Sequence, residues 1–194
     1  MAPQSKFMKS GKEYKHIRWW IILVGGGALM GWALVGWVAT EEVFHATDGA
    51  QFCGTCHVMA PMIAAYEQDV HGGMNANGVK ASCLACHLPH DSAWGYGLAK
   101  ARTGAHDIWA QWTYDLKAID WEAKRERRAE YTYDSGCLAC HENLERATMA
   151  SNKAFVAHRP YFQKTTRQTC VSCHPHVGHH ELTEQLTQEG LAQF

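Results

Sequence analysis

Cys53-Gly-Thr-Cys56-His57, Cys83-Leu-Ala-Cys86-His87, Cys137-Leu-Ala-Cys140-His141 and Cys170-Val-Ser-Cys173-His174 are four copies of Cys-x-x-Cys-His in a chain of 194 residues. Two cysteines at this spacing can take up the two vinyl groups of one haem as thioethers, and the histidine that follows reaches the iron from one side. The pattern predicts four covalent c-type haems and a protein that moves electrons. Zinc is the competing reading, because paired Cys-x-x-Cys units hold structural zinc, but such sites do not need a histidine directly after each pair. Histidine is 13 of 194 residues. Chance alone would put one behind all four pairs at roughly two in a hundred thousand. The eight cysteines could also form disulfides, which would leave the four histidines without a reason. With haem, no thiol remains for catalysis or for a structural bridge.

Four macrocycles in so short a chain supply much of its core. The expected fold is mainly α with irregular loops, short helices wrapped around porphyrins, little or no sheet and a small side-chain core. A formal net charge of −1 gives no electrostatic footprint for nucleic acid. Working outward to the N-terminus, residues 1–18 are polar and basic, with Lys6, Lys9, Lys12, Lys15 and Arg18 against Glu13. Residues 19–40 carry no charge, and at helical rise they reach about 33 Å, enough to cross a bilayer. Basic residues before the run and Glu41–Glu42 after it predict a cytoplasmic N-terminus and an outer C-terminal portion. Trp19, Trp20 and Trp37 sit near its ends, where interfacial aromatics belong. A cleaved signal peptide is the alternative, but the run is longer than a usual apolar core and no small-x-small cleavage site follows. The expected organisation is a cytoplasmic 1–18, a transmembrane anchor 19–40 and a haem domain 41–194. The mixed charges of residues 120–130 separate motifs one and two from three and four, as a solvated face or a spacer, and predict two di-haem halves.

A six-coordinate electron-transfer haem needs a distal ligand besides the motif histidine. Nine histidines lie outside the motifs, and three or four of them are needed. His16 is excluded on the cytoplasmic side. His71 sits in DVHGGM, where glycines allow close backbone approach to a porphyrin. His158 precedes Arg159-Pro160, at the expected end of a helix. His179 lies five residues beyond His174, in competition with His176 and His180. Motif one continues to Met59, whose thioether can ligate iron or pack against the ring.

The anchor, the four motifs, the Cys-x-x-Cys-His-x-Met at motif one and the CHLPH after the second resemble the NapC/NirT/NrfH family. These are membrane-anchored tetrahaem cytochromes c that act as quinol dehydrogenases. The segment from Gly97 through Lys100 and Gly104 to Asp107 is most similar to the branch that serves cytochrome c nitrite reductase as its small subunit. The resemblance implies that Met59, with His57 as the alternative, is the axial ligand of haem 1. Asp107 then occupies the other side of that haem without being a strong ligand, and Lys100 lines the same quinol pocket. It also implies His87 and His179 on haem 2, His141 and His71 on haem 3, and His174 on haem 4. His158, or else a lysine of the catalytic subunit, completes haem 4.

The residues agree with that chemistry. Lys100 and Asp107 are seven apart, so a helix puts them on one face. A carboxylate can accept a quinol proton, and a lysine can hold the quinol oxygen. The bland alternative for the two is an exposed pair with no special role. Trp109 and Trp112 lie just beyond, where they can rest the helix on a membrane surface. The implied activity is oxidation of menaquinol or ubiquinol at the bacterial inner membrane, with electrons passed to a periplasmic multihaem reductase in a hetero-oligomer. The ammonia-forming nitrite reductase is the first expectation for that partner, and another periplasmic reductase the second. A pure electron-transfer cytochrome and a nitrite-reducing enzyme in its own right are the rival classes.

Overall fold

The computed structural model describes residues 7–192, and side chains from 16 to 187. Residues 1–6, including Lys6 of the basic N-terminus, lie outside the described residues. The chain divides into two units, 1–47 and 48–194. The first is one helix, α1 (Phe7–Ala46). It extends well beyond both ends of the charge-free run, because the flanking residues are themselves good helix formers and no proline or cap stops them. Its stretch His16–Ala46 is long and apolar enough to span a membrane.

Among its described residues the second unit holds ten further α-helices, most of them short. They are α2 (Ala50–Cys53), α3 (Ala60–Glu67), α4 (Cys83–His87), α5 (Ala93–Thr113), α6 (Trp121–Glu126), α7 (Asp134–Cys140), α8 (Leu144–Thr148), α9 (Asn152–Phe162), α10 (Cys170–Cys173) and α11 (Leu182–Ala192). No strand occurs among the described residues, in line with the composition. Polar caps set several starts: Ser82 Oγ accepts from Ala85 N, Ser92 Oγ from Gly95 N and Asp120 Oδ1 from Ala123 N. In α9, Pro160 falls in the last turn, where it removes the bond an N–H would give Val156 O, and the helix nevertheless runs on to Phe162.

Among the described residues the buried apolar set is small: Pro61, Met62, Ala65, Tyr66, Leu88, Val171 and Leu182. Its main cluster joins α3 to α11, with Met59, Trp121 and Leu186 packed around Met62, Ala65 and Leu182. The polar C-terminal segment therefore has a job that its sequence does not advertise. Residues 120–130 are likewise more than a spacer. Trp121 enters the cluster, and Arg128 Nε donates to Val171 O at 2.9 Å inside motif four.

Candidate functional site

A helix puts positions i, i+3 and i+4 on one face, so a helical Cys-x-x-Cys-His presents both sulfurs and the imidazole together. Motif two fills α4 from end to end. Motifs three and four end α7 and α10, with the amides of His141 and His174 bonding back to Cys137 O at 2.8 Å and Cys170 O at 3.0 Å. Motif one differs. Helix α2 stops at Cys53, and a 3-10 turn spans His57–Met59. His57 is exposed there, whereas Met59 is half-buried against the α3–α11 cluster.

The motifs are stitched together in chain order. Cys83 hydrogen-bonds to the sulfur of Cys53, pushing the Cys53 thiol down to about 7 and that of Cys83 up. Tyr133 N donates to Cys86 O at 3.0 Å, and a Cβ on Gly136 would lie 1.9 Å from Ala85 O, so α7 touches α4 through bare backbone. Cys170 N donates to Asp134 Oδ1 at 2.9 Å, and the Cys137 and Cys170 thiols share a hydrogen bond. Motifs two and three are thus joined as directly as the pairs on either side. None of the eight cysteines is in a disulfide.

Each of the remaining motif histidines faces one histidine from elsewhere. Ring centroids are 6.2 Å apart for His71 and His141, 6.1 Å for His87 and His179, and 6.1 Å for His158 and His174. A metal–nitrogen bond of about 2 Å, plus about 1.1 Å from nitrogen to ring centre, gives about 6 Å across one shared metal. The second nitrogen is held in every imported ring. Nδ1 of His179 bonds to Met62 O at 3.1 Å, that of His158 to Ala154 O at 2.8 Å and that of His71 to Asp69 Oδ1 at 3.0 Å. His87 Nδ1 likewise bonds to Tyr131 O at 2.7 Å. Such bonds fix tautomer and orientation and leave Nε2 for a metal. Desolvation holds His87 and His179 below the ordinary histidine range, with the neighbouring ring adding to the effect on His179. A lowered value favours the neutral form that metal ligation requires. Among the described residues no three His, Cys, Asp or Glu side chains converge as a structural zinc site needs. Paired imidazoles beside paired cysteines are the donor set of a covalent haem.

Within DVHGGM, a Cβ on Gly72 would lie 1.8 Å from Tyr66 O, and Gly73 has φ 109° at the end of the turn. Lys100 and Asp107 share a face of α5 but not an environment. Every residue from 101 to 109 is exposed, because α5 packs on its own unit only through its first two turns. Asp107 is 79% exposed beside His106, whereas Lys100 is 12% exposed and paired with Asp48. The charges of both Asp107 and Asp48 nonetheless reach Cys53. Asp48 and Tyr96, whose hydroxyl stands 3.4 Å from Asp48 Oδ1, are the residues that sequence reading missed. No local pattern links Asp48 to a lysine fifty-two positions away.

The chain is similar to the cytochrome c-type protein TorC of Escherichia coli (strain K12), 31% identical over 175 residues that cover 84% of this chain and 43% of TorC. It thus spans less than half the length of that relative. The tetraheme c-type cytochrome CymA of Shewanella oneidensis is 31% identical over 159 residues, covering 75% of this chain and 83% of CymA. Among solved structures, the cytochrome c nitrite reductase NrfHA complex bound to the HQNO inhibitor matches with TM-score 0.47 and 27% identity, over 80% of this chain and 90% of that one. The family model described as NapC/NirT cytochrome c family, N-terminal region, matches residues 13–184. With that match running from inside α1 to the first turn of α11, the chain belongs to the NapC/NirT family of multihaem cytochromes c.

Proposed function

We propose that this chain oxidises menaquinol or ubiquinol at the bacterial inner membrane and delivers the electrons to a periplasmic multihaem reductase, foremost the ammonia-forming nitrite reductase. The observation that carries the reading is the contrast between motifs. Three motif histidines each face a remote imidazole at 6.1–6.2 Å, whereas motif one lies near two carboxylates, one of them paired with a lysine. Three motifs that would hold iron between two imidazoles, and one that would leave its iron accessible, are what conduction plus one substrate site needs.

In this reading the eight motif cysteines hold four haems covalently. His87 with His179, His141 with His71, and His174 with His158 would hold three of the irons, and Met59 would hold the one at motif one. Haem held there gives reversible one-electron chemistry. The chain's own residues do the rest. Lys100 holds the quinol oxygen, and Asp107, exposed and near Cys53, accepts a hydroxyl proton and releases it to water. Helix α1 anchors the protein with its basic end in the cytoplasm, so the haem domain is periplasmic. Trp94, Leu98, Ile108, Trp109 and Trp112 recur at helical spacing along α5 and are all exposed, a face suited to the lipid surface where quinol resides.

Protein purified from membranes should oxidise menadiol and co-elute with a multihaem reductase, whose identity names the partner. Asp107→Asn should slow menadiol oxidation at least tenfold and leave the dithionite-reduced spectrum unchanged. Wild-type rates in that variant would turn the reading into a conduit without quinol chemistry. Met59→Leu keeps an apolar packing side chain and removes the thioether, so the haem 1 spectrum should change. An unchanged spectrum, with loss in His57→Ala, would assign His57 instead.

A further inference from the structure

Asp48 lies outside every motif, yet four connections meet on it. Its carboxylate pairs with Lys100 Nζ and lies 3.4 Å from the Tyr96 hydroxyl. Its carbonyl accepts from Leu84 N of motif two at 3.4 Å, and its charge reaches Cys53 of motif one. The pair is enclosed, at 12% exposure for the Lys100 side chain and 23% for Asp48. Tyr96 is pushed above the usual tyrosine range by desolvation and then by the Asp48 charge. It also lines an open groove of about 290 Å³ with His90, Ser92 and Ala93. An ion pair this enclosed is costly to make, and removing one partner strands the other charge.

Building on the quinol-site reading above, we propose that Asp48 is a positioning residue of that site: it clamps Lys100 beside motif one and cancels its charge. The clamp fixes where the ammonium meets a quinol oxygen, which a free four-carbon stem could not do. The cancelled charge leaves Asp107 as the net charge among these groups near Cys53. An uncompensated ammonium there would favour the ionised carboxylate and weaken it as a base.

The test uses the full haem-loaded protein in detergent. In Asp48→Asn, reductive methylation of Lys100, read by peptide mass spectrometry, should rise severalfold. The KM for menadiol should rise about tenfold, and the acid limb of the rate profile should move to lower pH. Asp48→Glu, which restores the charge, should return that limb to its wild-type position. Wild-type labelling, KM and pH profile in Asp48→Asn would overturn the clamp while leaving quinol oxidation by the wild type intact. A wild-type protein that did not oxidise menadiol would instead remove the underlying reading. The neutral pair Asp48→Asn/Lys100→Met strands no charge, so it decides the matter if the single variant fails to assemble. Its KM should equal that of Lys100→Met alone, and a further severalfold rise would mean that Asp48 acts without Lys100.

Discussion

A histidine that binds iron must be neutral and must turn the correct nitrogen outward. The backbone carbonyl of Met62 does the second for His179, and desolvation does the first. The consequence for stability has a definite sign. The folded protein holds His87 and His179 below the ordinary value, so the unfolded chain binds more protons. Stability therefore rises with pH and falls as pH drops through about 6.5, the value of an unfolded histidine. The melting midpoint should drop between pH 7 and pH 5, and His179→Gln, although less stable, should show a shallower drop. An equal slope in the variant would show that other groups carry the acid sensitivity. The residue pattern alone leaves His179 among three competing histidines, and the family resemblance singles it out. In the fold the choice rests on a carbonyl 117 positions away.

Helices four to seven residues long do not persist alone, because nucleation costs more than so few bonds return. Helices α4, α7 and α10 depend on what they lean on. Gly136 is where α7 leans on α4, with no room for a methyl group against Ala85 O. Gly136→Ala should separate motifs two and three, lower the melting midpoint by several degrees and slow electron equilibration between their haems in flash photoreduction. Gly104→Ala on the exposed part of α5, where a Cβ meets nothing, should be neutral or slightly stabilising. This element scale divides what the sequence discloses from what it conceals. The cysteine spacing is local and announces a helix face by itself. The anchor is legible from absence of charge. The packing of α11 on α3 is not, since Leu182 and Leu186 stand among polar residues and their apolar character matters only once Met62 and Ala65 are opposite. The reason for Gly136, another motif's carbonyl, is visible only in three dimensions.

For a unit spanning residues 48–194, the few buried apolar side chains among the described residues are a thin core. Domains of that length ordinarily bury far more. The motifs explain why it suffices: each imidazole pair links segments that share few other contacts, His71 to His141 and His158 to His174. A haem between each pair would add apolar area and cross-links at once, and bound groups stabilise the folded state they select. Haem loading and folding should therefore be one event. Protein matured with its haem-attachment machinery should weigh the bare 21.7 kDa chain plus four haem increments, and should melt cooperatively. The same chain made without that machinery should show helical circular dichroism from α1 but no cooperative transition, and limited proteolysis should cut throughout 48–192. Double substitution of Cys83 and Cys86 by serine should lose more than one haem, because motif two is joined to motif one through Cys53 and to motif three through Gly136. A variant carrying three haems and melting like the wild type would mean that the motifs fold as separate modules, and that the contacts between neighbouring motifs contribute nothing to holding them.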